Sequence, residues 1–438
     1  MGAIEMPGLA LGPMGAWLSA VGALRMLSRT DPAAALHWDG TVPVLTTARP
    51  APERDLADRA AFTPVITPWQ SGGGWGPKDK TSAGRLAALR ESRSPRLDAM
   101  RRSITAADAV LQRHPGAGKD DLVRLLRGAL PDEAVPWLDA AVPLRPARDG
   151  VQRVAVAWAP MAGTGGNDGR WDVSTACHAA VLGLDPDREP GPSGATDDPS
   201  VLRRRAWLDD LLDGTAAEPL PEMSPGMYWP QGAEAGLANP WAVILAAEGL
   251  CAFGDAPVAE FAAPGMPWTA AAGPETDREH NRGEAWLPLW AGPMTMPEVA
   301  LLLGGPQPRW RGAGARTPAQ MYSSLASGGW PAGVTGYARY ALARRRGQAH
   351  VAAPLDIVLP EAAPAPEPLG ITGLAAAAGI AESTLRGYVA RGQAPLPDFR
   401  DLRTGAPGWL PSTAEAWLAA RPGRGARTDL DDASGQAG

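Results

Sequence analysis

Lysine is nearly missing from this chain. Of 41 basic residues only Lys78, Lys80 and Lys119 are lysine and the rest are arginine, a bias that GC-rich coding explains without reference to function. Cysteine is as scarce. Cys177 and Cys251 lie far apart with no C-x-x-C partner, which points to buried free thiols in a reducing cytoplasm. The five histidines, His37, His114, His178, His280 and His350, are scattered, and neither H-E-x-x-H nor Gly-x-Ser-x-Gly occurs. An enzyme is therefore not expected, and neither a metal nor a cofactor is called for. No window reaches about 18 uninterrupted apolar residues, so no membrane span is expected. The apolar run around Leu9–Leu27 is broken by Gly12, Pro13, Gly15 and Gly22 and lacks the basic flank of a signal peptide.

What is present is core material: 45% hydrophobic residues in 438, enough for two or three domains. The net charge of -6 argues against a uniformly basic coat for nucleic acid, yet leaves room for local basic faces. Residues 14–28 place Trp17, Leu18, Val21, Leu24 and Leu27 on one helical stripe. Asn239 and Pro240 open a second apolar helix through Leu250, in which Glu248 is the one acid. A carboxylate there needs a partner, and the Arg282–Trp290 block offers one.

Between these helices, Thr41–Thr47, with Val42, Val44 and Leu45, suits a strand, and an extended Phe62–Trp69 runs into Gln70-Ser71-Gly72-Gly73-Gly74-Trp75. Those glycines permit close approach of backbone amides to phosphate, but the Gly-Lys-Ser/Thr ending of a nucleotide loop is missing, and a flexible turn is the competing reading. From Ser82 to about His114 the pattern is helical and basic, with Arg85, Arg90, Arg93, Arg96, Arg101 and Arg102. That face is either solvated or tracks a nucleic-acid backbone. Further helices are expected over 120–130, 133–141, 202–212, 296–303, 317–325 and 337–346, with strands over 151–158 and 350–358.

Residues 359–368 read as an extended Pro-rich linker between a body, residues 1–358, and a small domain. In the latter Thr372 caps a short helix, Gly379 supplies a left-handed turn, and Ser383–Arg391 forms a second helix with Leu385 and Val389 inward. This is a helix-turn-helix. Ser383, Thr384, Arg386, Tyr388 and Arg391 are its candidates for contact with double-stranded DNA, with protein docking the competing use of the same helix pair. Pro395–Trp409 supplies a hairpin-like wing and Ser412 onward a third helix, so that residues 369–424 resemble the winged helix of excisionases and MerR-type proteins. Residues 425–438 read as a disordered tail. The expected fold class is α+β: a mixed, helix-rich body plus a small all-α, winged helix-turn-helix domain.

Colinear blocks in the body carry a second resemblance. They are Trp17–Arg25; Pro68-Trp69-Gln70 through Trp75; Gly166-Asn167-Asp168-Gly169-Arg170; Asn239-Pro240-Trp241 through Gly249; Arg282-Gly283-Glu284 through Trp290; and Gly336–Tyr340 through Leu355. Together they resemble the Csx-type large subunit of type I-U (I-G) CRISPR interference complexes. The resemblance implies a non-catalytic effector subunit that sits with crRNA and other effector subunits, aids recognition of the target-adjacent motif and holds DNA. By block, it assigns nucleic-acid contacts to Gln70, Gly72, Gly73, Gly74, Arg170 and Arg282. The alternative is a transcriptional regulator or excisionase-like protein with a large partner domain.

Overall fold

The only charged residue between Met14 and Ser28 is Arg25, and the helix they form is buried on nearly every side, from Met14 through Leu27, where the spacing predicts a single stripe. The computed structural model describes residues 2–68, 80–141, 144–146, 154–156, 173–190, 197–215, 239–255, 268–269, 281–304, 309–310, 313–314, 318–326, 330–344, 350–360, 369–395, 397, 399–400, 406–409, 413–414 and 417–418. Among these, the helices are α1 (Met14–Ser28), α2 (Pro52–Asp58), α3 (Lys80–Glu91), α4 (Asp98–Arg113), α5 (Lys119–Arg127), α6 (Val135–Ala141), α7 (Val173–Gly183), α8 (Pro199–Asp213), α9 (Pro240–Asp255), α10 (Met296–Gly304), α11 (Pro318–Ala326), α12 (Ile371–Ala377) and α13 (Glu382–Ala390). The strands are β1 (Gly2–Glu5), β2 (Ala35–Asp39), β3 (Val42–Thr47), β4 (Leu144–Pro146), β5 (Val154–Val156), β6 (Trp268–Thr269), β7 (Asn281–Trp290), β8 (Met294–Thr295), β9 (Arg309–Trp310), β10 (Ala313–Gly314), β11 (Val334–Arg344), β12 (His350–Val358), β13 (Phe399–Arg400) and β14 (Pro407–Gly408). The class is mixed α+β, and the chain divides into two compact units, Met1–Leu359 and Pro360–Gly438.

In the larger unit α1 packs on α9, and glycine sets how closely. A Cβ on Gly22 would strike the Leu245 carbonyl, and one on Gly249 would strike the Leu18 carbonyl. Backbone therefore meets backbone, as only glycine allows. Asn239 caps α9, its side-chain oxygen accepting from the Trp241 N–H at 3.0 Å.

Two four-stranded antiparallel sheets, ordered β1-β3-β2-β8 and β12-β11-β7-β6, each contact α1. Tryptophan joins the layers. The Trp17 indole donates to the Pro288 carbonyl at 3.0 Å, Trp290 to that of Leu36 at 2.6 Å, and Trp241 to that of Arg204 at 3.0 Å. Each ring buries a large apolar area while its one polar atom finds a backbone acceptor, so position and direction are both specified.

Two readings from the sequence change. Residues 337–346 are expected as a helix, but Tyr337–Arg344 belong to β11, hydrogen-bonded on both sides by β7 and β12. The segment's alanines and arginines favour helix locally; two waiting strands and the burial of Tyr337, Ala338 and Tyr340 outweigh that preference. The basic stretch 82–114 is two helices broken at Ser92–Ser94, where the carboxylate of Asp187 accepts from the Ser92 hydroxyl and from the N–H groups of Arg93 and Ser94. Finally, α7 has no counterpart in the sequence reading.

The small unit has its own core of Leu374, Ala375, Leu385, Trp409 and Ala414. Trp409 pairs with Leu369 through two backbone bonds, and its indole donates to the Pro395 carbonyl at 2.9 Å.

Candidate nucleic-acid interface

Helix α12 begins after Gly370, with no side-chain cap; Thr372 lies inside the helix instead of capping it. Gly379, at φ +61°, reverses the chain, and α13 begins after Ala381. Leu385 is fully buried and Val389, one turn on, is half-buried, so these two form the inward stripe of α13. Ser383, Thr384, Arg386 and Arg391 are exposed and Tyr388 is half-buried. All five candidates lie off the inward stripe.

Their charges are lightly held. Arg386 meets Glu382 one turn back at 3.4 Å with about two thirds of its side chain exposed; such a surface pair is weak and easily exchanged. Arg391 lies over the Tyr388 ring at 5.6 Å and donates to the Gln393 side-chain oxygen at 3.1 Å. Strands β13 and β14 form a short antiparallel hairpin after α13, and residues 413–414 and 417–418 are helical.

The body's candidates fare differently. Gln70, Gly72, Gly73, Gly74 and Arg170 lie outside the described residues. Arg282 is the second residue of β7, and the backbone is all that is described there. The partners of Glu248 among the described residues lie outside the Arg282–Trp290 block. The Glu248 Oε2 accepts from Arg25 at 2.5 Å, Arg29 at 2.7 Å and the Thr63 hydroxyl at 3.0 Å, and its Oε1 accepts from the Thr63 N–H at 2.9 Å. Burial pushes this carboxyl up, but Arg29 and Arg25 outweigh burial and hold it below the usual carboxylate range. Arg25 sits one turn before Arg29, the helical-conformation residue that caps α1, so the helix repeat delivers both to the same acid; that spacing was the available signal.

Most of the basic run between Arg85 and Arg102 is engaged within the protein. Arg96 is buried and donates to the carbonyls of Ala60, Ala57 and Leu56 while stacking on Phe62. Arg90 pairs with Asp108, Arg101 with Asp98 and Arg102 with Glu133. Arg204, in the run Arg203–Arg205, is likewise fully buried against Asp58.

Among the described residues no group of three or more His, Cys, Asp or Glu is placed to hold a metal ion, and no helix is long and apolar enough to cross a membrane. Against known proteins, the chain matches no family model and no curated protein.

Proposed function

We propose that this chain is a non-catalytic DNA-binding protein that lays α13 in the major groove of a duplex. One observation carries the reading: α13 buries Leu385 against the small unit's own core while Ser383, Thr384, Arg386 and Arg391 stay exposed on its other side. Hydroxyls in the first turn and guanidinium groups further on suit phosphate and base-edge contacts in that groove. A short helix pair followed by paired strands is what a winged helix-turn-helix would need, which supports the reading.

The block resemblance extends the proposal to the body. The chain then acts in the cytoplasm as the large-subunit-like member of a type I-U (I-G) CRISPR antiviral complex, beside crRNA and other effector subunits, aiding recognition of the target-adjacent motif. Base pairing would read the sequence while this subunit holds duplex features and backbone.

The test is titration of a labelled duplex with the whole chain over a range of salt concentrations. Binding should weaken steeply with salt, and Arg386→Ala should reduce the slope by about one counterion. No duplex binding even at low ionic strength would sink the DNA role. Copurified RNA and further subunits favour the CRISPR role, whereas a self-contained dimer on one operator favours a transcriptional regulator.

A further inference from the structure

Between the end of β3 and helix α2 lies a half-open cleft of about 530 Å³, a size suited to a small ligand. Its described lining includes Arg49, Arg54 and Arg59 together with Asp55 and Asp58. Both acids are already engaged. The Asp55 carboxylate accepts from Arg49 at 3.3 Å and from Arg59 at 3.1 Å. Asp58, nearly buried, takes three bonds from behind: from Arg204 at 3.2 Å and from Arg205 at 2.8 and 2.6 Å.

Four guanidinium groups thus bond to the two carboxylates, and a fifth, that of Arg54, lines the same cleft. Arg49 and Arg59 keep 44% and 65% of their side chains exposed, and Arg54 is exposed too. A guanidinium has five N–H donors, and Asp55 takes one from each of Arg49 and Arg59. Arg54 also feels the charge of Asp209, which interacts in turn with Glu53, Asp210 and Asp213, and none of these four acids is among the described lining residues. Asp55 offsets one of the three positive charges of Arg49, Arg54 and Arg59, and a multiply charged anion would offset the remainder.

We propose that this cleft binds a phosphate-bearing ligand, whose oxygens are taken in forked pairs by Arg49, Arg54 and Arg59. Arginine matches phosphate geometry in two parallel N–H···O bonds, which a point charge cannot do. The site belongs to the body and is independent of α13, so its failure would leave the DNA proposal standing and the reverse also holds.

Calorimetric titration of the full-length chain with inorganic pyrophosphate tests it. Saturable binding should weaken roughly tenfold or more in Arg54→Ala/Arg59→Ala, with an unchanged melting temperature, and severalfold in Arg54→Lys/Arg59→Lys, which keeps charge but loses the fork. Arg54→Gln alone, at an exposed position, reads the same loss on a smaller scale should the double variant fold poorly. A single-stranded oligonucleotide that displaces pyrophosphate identifies a nucleic-acid backbone as the phosphate source; one that does not identifies a free phosphorylated compound. No pyrophosphate binding at low ionic strength, or equal affinity in all variants, would overturn the proposal.

Discussion

Glu248 is the residue on which the larger unit's polar interior turns. Its carboxylate is enclosed by Arg25 of α1, by Arg29 at that helix's C-terminal cap and by Thr63, so removing it takes a counter-charge away from the buried Arg25. Breaking a buried pair from one side is far more damaging than never having had the pair. Glu248→Leu should therefore lose roughly 3–5 kcal/mol in denaturant unfolding. A loss under about 1 kcal/mol, the scale of an exposed pair, would show that the cluster contributes little.

His178 adds a pH dependence. Burial, joined by the charge of Arg85, lowers its pKa to about 4, although the Val65 carbonyl, accepting from its ring N–H at 3.0 Å, works the other way. The folded protein thus holds a neutral ring while the unfolded chain takes up a proton below about pH 6.5. Stability is then full above pH 6.5 and falls by roughly 3 kcal/mol as pH drops toward 4. Glu248, also held low, adds to the loss further down, as pH falls through its folded value. Denaturant midpoints measured between pH 7 and 4 would show the decline, flattened in His178→Gln; a level profile would count against it.

At the scale of elements, the crossing of α1 and α9 depends on two glycines more than on any apolar side chain. Gly249→Ala places a methyl group against the Leu18 carbonyl, and neither backbone can yield without separating the helices. The expected cost is about 3 kcal/mol or more, read as a lower melting temperature and poor soluble yield. Gly84→Ala is the contrast: nothing lies within 4 Å of the new atom on α3, and the helix should gain up to about 1 kcal/mol. Equal effects at the two positions would refute the close-approach account. Elements with strong local signals were legible: the Asn239 cap, the apolar runs of α1 and α9, and the Gly379 turn. Strand β11 was not, because its alanines and arginines carry a helical preference that only β7 and β12, distant in sequence, reverse.

For the molecule as a whole, the two units have separate cores, one around Trp17, Trp241 and Trp290 and the other around Leu385 and Trp409. Scanning calorimetry should resolve two transitions, with Trp409→Ala lowering one and Gly249→Ala the other. A single transition shifted by both variants would contradict that division.

The sequence by itself determined the apolar helices, the helix pair with its glycine turn, and the side of α13 that faces outward. These follow from period, capping and turn chemistry, which act within a few residues. Only the tertiary structure decided which charges are engaged internally. Arg25, Arg96 and Arg204 look no different along the chain from Arg386, yet the first three are buried on carboxylates or carbonyls and the last is exposed. The cleft at Arg49, Arg54 and Arg59 was invisible for the same reason. An arginine's role depends on which acids lie across from it, and Asp58 meets Arg204 across 146 positions of chain.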